Sequence, residues 1–437
     1  MKTVITYGTY DLLHEGHIRL LKRAKELGDY LIVGVTSDTF DYERGKMNVK
    51  QSLVERIEEV KKTGLADQII VEEYEGQKIS DIIKYNVDIF TVGSDWIGKF
   101  DYLKEYCEVV YLERTKGISS TELRNREHSI IKFGLVGLGV PTERFCEEIK
   151  YVSGVEIIGT YAEERALQET YEEQYGFDVY KRYEDLLDEV DAVYIAEART
   201  NNYRLIVEAV KRGIHILCES PIFLREEEAK HIFSIAENNE VIIMEALKTL
   251  YLPAFERLLL LINSGIIGKV KDIDVNCSQY LDTLDFKDES QGSIYDFISY
   301  ALLPILKILG EDIEEGRYFS YKKDRFFVFT KGELSYSNAT ATFRLGKGIK
   351  TEGDMVITGT EGYVYVPAPW WKTDYFEVRG EDLRKTRKFF YQYEGEGLCH
   401  EIYEFIRRIK NNEKNRCEDI FTVCRVLEGI IKFSKEI

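Results

Sequence analysis

Apolar and polar positions along the 437-residue chain follow two periods, and the places where the period changes divide it. The run Thr3-Val4-Ile5-Thr6-Tyr7 is short, β-branched and bounded by Gly8, which predicts a buried parallel strand. Residues 18 to 27 carry apolar side chains at helical spacing and stop at Gly28. The alternation continues to about residue 126, with strands predicted near 3–7, 30–35, 68–72, 87–92 and 107–112. That order predicts one doubly wound parallel sheet. Right-handed crossovers would gather the carboxyl ends of its strands along one edge. The polar stretch from Asp41 to Lys50 follows neither period and reads as a mobile loop over that edge.

The link Asn125-Arg126-Glu127-His128-Ser129 has no Gly/Ser-rich or Pro-rich spacer, which implies that the parts on either side are held close. A new strand begins at Ile130–Val136, and another at Val155–Tyr161. From about residue 271 the pattern changes to strict alternation near 271–280, 326–331, 335–344 and 354–358, the mark of an antiparallel sheet with one buried face. His400 to Phe433 has long helical periodicity and is expected to pack back on the nucleotide-binding part. The fold class is therefore α/β. A doubly wound parallel-sheet domain spans 1–128, and two further domains span 129–250 and 251–437.

Composition narrows the class. The chain is 44% hydrophobic and 13% aromatic with only 6 prolines, as in a folded enzyme. No run of about 18 apolar residues occurs and the first residues enter a strand, so neither a membrane span nor a signal peptide is expected. A net charge of -18 argues against nucleic-acid and polybasic membrane partners. The seven cysteines never take C-x-x-C spacing, which disfavours metal clusters and disulfides and fits a reducing cytoplasm.

Candidate chemistry lies in Thr9-Tyr10-Asp11-Leu12-Leu13-His14-Glu15-Gly16-His17, between the first strand and first helix. Open α/β sheets bind ligands at such strand ends, and a helix N-terminus offers free amides to an anion. Gly16 lets a phosphate approach the backbone. Two imidazoles there suit a phosphate under nucleophilic attack, where charge grows on the oxygens. Arg114-Thr115-Lys116-Gly117-Ile118-Ser119-Ser120-Thr121 forms a second anion-binding pattern at a helix start. Between them, Gly93-Ser94-Asp95-Trp96-Ile97-Gly98-Lys99-Phe100 follows the fourth strand.

These three motifs, in order, resemble the cytidylyltransferase family of the H-x-G-H nucleotidyltransferases, and within it the glycerol-3-phosphate cytidylyltransferases. The resemblance implies CTP and a small polyol phosphate as substrates, with Mg²⁺ accompanying CTP. It further implies that His14 and His17 stabilise the transition state with Lys46 and Arg114. Gly8, Thr9, Tyr10, Asp11, Gly16, Asp95, Thr115, Ser119, Ser120 and Thr121 would hold the nucleotide, and Trp96 and Lys99 the acceptor. The product would be a CDP-polyol of the kind used for cell-wall polymers. The loop departs from the subfamily at Ser94-Asp95, where two acids are more usual.

The second half opens with Gly137-Leu138-Gly139-Val140-Pro141-Thr142, a dinucleotide fingerprint with Thr142 at its third glycine place. Glu163 and Glu164 end the next strand, where an acid would meet a ribose diol. With Glu219-Ser220-Pro221, Glu245-Ala246 and Gly359-Thr360-Glu361-Gly362, residues 130 to 437 resemble the Gfo/Idh/MocA oxidoreductases. That resemblance implies a Rossmann-like domain over 129–250, an α+β open-sheet domain with terminal helices over 251–437, an NAD(P) site at Gly137, Gly139, Glu163, Glu219, Asp296 and Tyr300, and homo-oligomers built on the second sheet. The family's E-K-P lysine is Ser220 here, and its T-P-N-x-x-H segment reads Glu197-Ala198-Arg199-Thr200-Asn201-Asn202. Serine supplies neither positive charge nor a proton near neutrality, so reductase chemistry does not follow from the fold. Lys248 is a candidate replacement, though it is read as a surface lysine. His215 and His400 are read as structural.

Overall fold

A computed structural model of the chain describes residues 2–44, 46, 49–74, 76–113, 130–152, 154–163, 171, 175–284, 286, 290–391 and 395–436. The chain divides into two compact units, Met1–Ile130 with Tyr151–Gly154, and Ile131–Lys150 with Val155–Ile437.

Among the described residues the first unit has one five-stranded parallel sheet: β1 (Thr3–Gly8), β2 (Tyr30–Thr36), β3 (Gln68–Glu72), β4 (Ile89–Gly93) and β5 (Glu108–Leu112), in the order β3-β2-β1-β4-β5. The register runs Thr3 against Tyr30 and Val4 against Ile89. Both faces are covered, as the unbroken apolar strands require. Val4, Leu31, Val33 and Val35 pack with Leu21 and Ala24 of α1 (Glu15–Lys25) and Val60 of α3 (Leu53–Lys62). Ile5, Ile32 and Phe90 face the other way, against Ile82 of α4 (Gln77–Lys84). The polar stretch after β2 is less open than its pattern suggests. Asp38–Glu43 forms α2, capped by Ser37, and Asp41 is fully buried.

The second unit carries two sheets. The first is parallel, in the order β11-β10-β9-β6-β7-β8, from β6 (Ile131–Val136), β7 (Val155–Tyr161), β8 (Asp178–Val179), β9 (Ala192–Ile195), β10 (His215–Glu219) and β11 (Ile243–Ala246). Its helices include α5 (Val140–Glu148), α6 (Tyr183–Leu187), α7 (Arg199–Lys211) and α8 (Glu226–Asn238). The second sheet has nine strands among the described residues, with β12 (Val270–Gln279) central, antiparallel to β16 (Met355–Gly359) and parallel to β15 (Thr340–Lys347). Between them in sequence, β13 (Glu315–Lys323) pairs antiparallel with β14 (Phe326–Ser335), and β14 with β15. The boundary expected between 331 and 335 falls instead at 336–339, between β14 and β15, and Gly332 within β14 leaves room for the ring of Phe343. After α9 (Pro253–Asn263), the long α10 (Ser293–Leu309) buries Ile294, Ile298, Leu302 and Ile305 on this sheet. The terminal helices α11 (Leu398–Lys410) and α12 (Glu418–Phe433) pack back as expected, α12 against both α8 and α10.

Candidate active site

In the first sheet the strand order reverses between β1 and β4, so the loops leaving Gly8 and Gly93 flank the switch point. The β1 turn is strained and firmly held. Tyr10 and Leu12 have φ of 55° and 48°, in the left-handed region that bulky residues avoid. Gly8 permits the first of these, since a Cβ there would lie 3.0 Å from the buried Tyr10 ring. Asp11 Oδ1 accepts the amides of Lys50 and Gln51, both at 3.0 Å, and Gln51 Oε1 accepts the Leu12 amide at 2.7 Å.

Beneath the turn lies a buried ion pair that sequence reading missed. Arg56 Nη1 donates to the carbonyls of Thr9 (2.8 Å) and Thr36 (2.9 Å) and to Asp41 Oδ2 (3.2 Å), while Nε donates to the Gln51 carbonyl at 3.1 Å. Arg56 and Asp41 are both fully buried. The partners lie 5 to 47 residues from Arg56, a separation that no local motif reports.

His14 is the N-cap of α1, and its Nδ1 accepts the Gly16 amide at 3.0 Å. A neutral imidazole used this way carries its proton on Nε2. The His17 ring stacks on it, with centroids 3.9 Å apart and planes 17° from parallel, and Tyr10 meets His17 edge-on at 5.5 Å. Lys46 Nζ donates to Thr9 Oγ1 at 2.9 Å, and Thr9 Oγ1 donates to Asp41 at 2.8 Å. The structure thus brings His14, His17, Lys46 and the turn from Gly8 to Gly16 together. Arg114, Thr115, Ser119, Ser120 and Thr121 lie outside the described residues.

Across the switch point, Ser94–Trp96 makes a short 3-10 turn carrying Asp95. Trp96 packs on Phe100, and Lys99 lies 5.2 Å over the Trp96 ring. A second cation joins this group. Lys78 Nζ stands 5.4 Å over Phe100 and 4.9 Å over Tyr7, and pairs with Glu72, both nearly fully buried. The Tyr7 hydroxyl donates to Asp81 at 2.9 Å. Burial and the neighbouring Asp81 carboxylate push this phenol up, so it remains a donor at neutral pH.

The second unit has a cleft of about 450 Å³ at its own switch point, between the ends of β6 and β9. Gly137 has φ 85°, and a Cβ there would meet the Ala196 backbone at 2.6 Å, so only glycine fits. Gly139 has open space beside it and caps α5. Thr142, at the third glycine place, donates to the Gly137 carbonyl at 2.7 Å. Glu163 lines the cleft and pairs with Arg204; Glu164 lies outside the described residues. These features fit the nucleoside end of a dinucleotide. The turn's anion-binding face is partly engaged, because the Gly139 amide donates to Tyr171 Oη at 3.1 Å and residue 141 is proline.

Glu219 and Tyr300 do not line that cleft, though Arg199 of its lining acts electrostatically on Glu219 and donates to the Ser220 carbonyl beside it. The Tyr194 hydroxyl donates to Glu219, in a cluster with Glu245 and Glu401 at the carboxyl edge of β9 to β11. Burial pushes Glu245 up to about 7, against hydrogen bonds from Ser299 Oγ (2.8 Å) and the Ile222 amide (3.3 Å). Lys248 is not a surface residue. It is 8% exposed and donates to Glu396 at 2.8 Å, because the segment after β11 turns inward rather than toward solvent. Against burial, which pushes it up, Lys248 and Lys372 hold the Glu396 carboxyl down at about 2. His215 Nδ1 accepts the Ile242 amide at 3.0 Å, a structural role.

Comparison with known proteins matches residues 5–126 to the cytidylyltransferase-like family and residues 131–247 to an oxidoreductase family with an NAD-binding Rossmann fold. The glycerol-3-phosphate cytidylyltransferase of Bacillus spizizenii is 52% identical over 124 residues, which are 28% of this chain and 95% of that protein. The scyllo-inositol 2-dehydrogenase (NADP(+)) IolU of Bacillus subtilis is 26% identical over 325 residues, 68% of this chain and 95% of its own. Among solved structures, the 3-ketoreductase KijD10 of Actinomadura kijaniata, in complex with NADP and TDP-benzene, superposes with a TM-score of 0.64 at 18% identity. It covers 71% of this chain and 99% of its own, a likeness of fold.

Proposed function

Because the chain belongs, through residues 5–126, to the cytidylyltransferase-like family, we propose that its first unit joins CTP to a small polyol phosphate, glycerol 3-phosphate foremost, giving a CDP-polyol and pyrophosphate. CTP enters as its Mg²⁺ complex, the metal arriving as part of the substrate. An oxygen of the acceptor phosphate attacks the α-phosphorus in line. The new P–O bond forms as the bond to the β-phosphate breaks, and pyrophosphate leaves with the electron pair. No covalent enzyme intermediate is needed, so catalysis rests on position and charge.

The observation that carries this reading is the pair of stacked imidazoles at the β1 turn, with His14 Nδ1 accepting the Gly16 amide. In this reading His14 Nε2 and His17 donate to oxygens on which charge grows, while Lys46 and Arg114 close on the phosphates. Tyr10 and Asp11 keep the turn in its strained form. Lys99, over the ring of Trp96 and beside the Trp96–Phe100 pair, is the cation nearest the acceptor side of this loop. Replacing His14 or His17 with Ala is expected to lower pyrophosphate release by about 10²- to 10³-fold, with far-UV circular dichroism unchanged. Full activity in both variants would overturn the assignment.

A second reading adds a reduction step in the second unit, supplying the polyol phosphate from a keto or aldehyde precursor. The Gly137 turn and its cleft favour it, and the NADP-bound structural neighbours suggest NAD(P) binding. There Gly137, Gly139 and Glu163 would hold the dinucleotide, which supplies hydride when bound. Ser220 argues against it, and the remaining possibility is a non-catalytic module for oligomerisation or regulation. Fluorescence titration with NADPH separates these readings, since the module requires no dinucleotide.

A further inference from the structure

Three cations of the second unit converge on one carboxylate. Lys248 Nζ lies 2.8 Å from Glu396 Oε2, Arg144 Nη1 lies 3.2 Å from the same oxygen, and Lys372 Nζ lies 2.7 Å from Oε1. Each comes from a different element: Arg144 from α5, Lys248 from the 3-10 turn Lys248–Tyr251, and Lys372 from the 3-10 turn Trp370–Lys372. The Thr249 hydroxyl donates to the Trp371 carbonyl and ties the two turns together. Burial is uneven across the group. The Lys248 side chain is 10% exposed, whereas those of Glu396, Lys372 and Arg144 are 29%, 38% and 45% exposed, so the group opens to solvent on one side. A buried lysine needs one paired carboxylate. The two further cations at the mouth are more than that pairing requires.

The surrounding acids are Glu148, Glu219, Glu245 and Glu401. Glu148 is taken up by backbone, its Oε1 accepting the Glu396 amide at 2.6 Å and its Oε2 the Cys399 amide at 3.2 Å. Burial pushes Glu401 well above the usual carboxylate range, with Lys248 acting the other way, so this group is neutral at pH 7. Burial also pushes Glu219 up, against the Tyr194 hydroxyl and the charges of Arg199, Lys248 and Arg144. Glu245 is bonded to Ser299 Oγ and the Ile222 amide. With Glu219 counted as ionised, the three cations are matched by Glu396, Glu148 and Glu219 only while the Glu396 side chain is in place. Glu148 holds the backbone at 396 independently, so rotation of the Glu396 side chain can uncover the cations without moving the turn.

We propose that Arg144, Lys248 and Lys372 form an anion-binding site of the second unit, in which the Glu396 carboxylate stands where the phosphate of a small phosphomonoester binds. Such a phosphate carries about two negative charges and three acceptor oxygens near neutrality. It thus offers each cation an oxygen, where a carboxylate has two oxygens and a single charge. The ligand must displace Glu396, and its apparent affinity is lowered by the fraction of time that Glu396 holds the cations. None of these four residues lines the cleft at the Gly137 turn, so the site is separate from the one fitted to a dinucleotide. The inference concerns the second unit alone and stands whether or not the first unit transfers cytidylyl groups. No covalent bond is made or broken in it.

The chain has three tryptophans, Trp96, Trp370 and Trp371, and the last two stand beside Lys372. In a Trp96→Phe background of the full chain, tryptophan emission therefore reports on the second unit alone. The test titrates that protein with glycerol 3-phosphate, dihydroxyacetone phosphate, inorganic phosphate and uncharged glycerol at constant ionic strength. Both esters are expected to change the emission saturably, inorganic phosphate to bind more weakly, and glycerol to have no effect. Glu396→Gln, which removes the competing charge, is expected to tighten ester binding by about tenfold. Lys372→Ala and Arg144→Ala are each expected to weaken it by about tenfold, with far-UV circular dichroism as the control for folding. Should Glu396→Gln fail to fold, the two partly exposed cation variants decide. The proposal is overturned if neither ester gives a saturable response, or if inorganic phosphate binds as tightly as the esters. Unchanged affinity in the cation variants, or unchanged or weaker affinity in Glu396→Gln, would overturn it equally.

Discussion

At the residue scale, chemistry that is local in sequence was legible and chemistry that is assembled by the fold was not. His14 and its partner Gly16 lie two residues apart, so the turn after β1 shows this contact within a single motif. Arg56 is the opposite case, lying among residues of a helical pattern while its partners Thr9, Thr36 and Asp41 come from three other segments. Lys248 misled because a lone lysine after a strand is usually solvated, whereas here Glu396 from a distant loop compensates its burial. Glu245 gives a testable consequence at this scale. Its folded-state value near 7 lies above the ordinary 4.5, so the folded protein holds this proton more tightly than the unfolded chain. The stability this group contributes is present below about pH 4.5 and is lost as pH rises toward 7, on the order of 3 kcal/mol in all. Glu245→Gln keeps the acceptor toward Ser299 and removes the titration. Thermal melts from pH 5 to 8 should therefore show a smaller fall for the variant than for the unmodified chain, and identical slopes would refute the account.

At the scale of elements, the first sheet followed its pattern closely, because its central strands β1, β2 and β4 are buried on both faces and flanked by helices of clear period. The segment after β2 did not. Its charges suggest solvent, yet Ser37 caps a short helix and Asp41 turns inward to Arg56. In the second sheet, alternation marks which residues face the core but not which strand lies beside which. The parallel pairing of β12 with β15 follows from the insertion of α10 and the β13–β14 hairpin between them. The Arg56–Asp41 pair ties the ends of β1 and β2 to α2 and α3, so its loss should be felt by all four. Arg56→Ala leaves Asp41 buried without its cation, and urea denaturation is expected to register about 3–5 kcal/mol of destabilisation. A loss below 1 kcal/mol would mean that the turn is held by other contacts.

At the scale of the whole molecule, two ligand-binding folds share one chain, each with a cleft or turn where its strand order reverses. The fold classes were legible from the change of hydrophobic period and from glycine turns. The polar cluster of Arg199, Ser220, Ser290 and Asp296 was not, because these residues meet only once the chain is folded. The net charge of -18 does not oppose anionic substrates, since a cation can be fixed locally, as Lys46 is by Thr9. The central claim is that the first unit transfers a cytidylyl group to a polyol phosphate. It is tested most directly by pyrophosphate release from CTP and Mg²⁺ with glycerol 3-phosphate, glycerol 2-phosphate, ribitol 5-phosphate, erythritol 4-phosphate or phosphocholine. Each is run with and without NADPH and the matching keto or aldehyde precursor. Turnover with preformed glycerol 3-phosphate and no NADPH is the predicted result. Pyrophosphate release with none of the five acceptors would contradict the account.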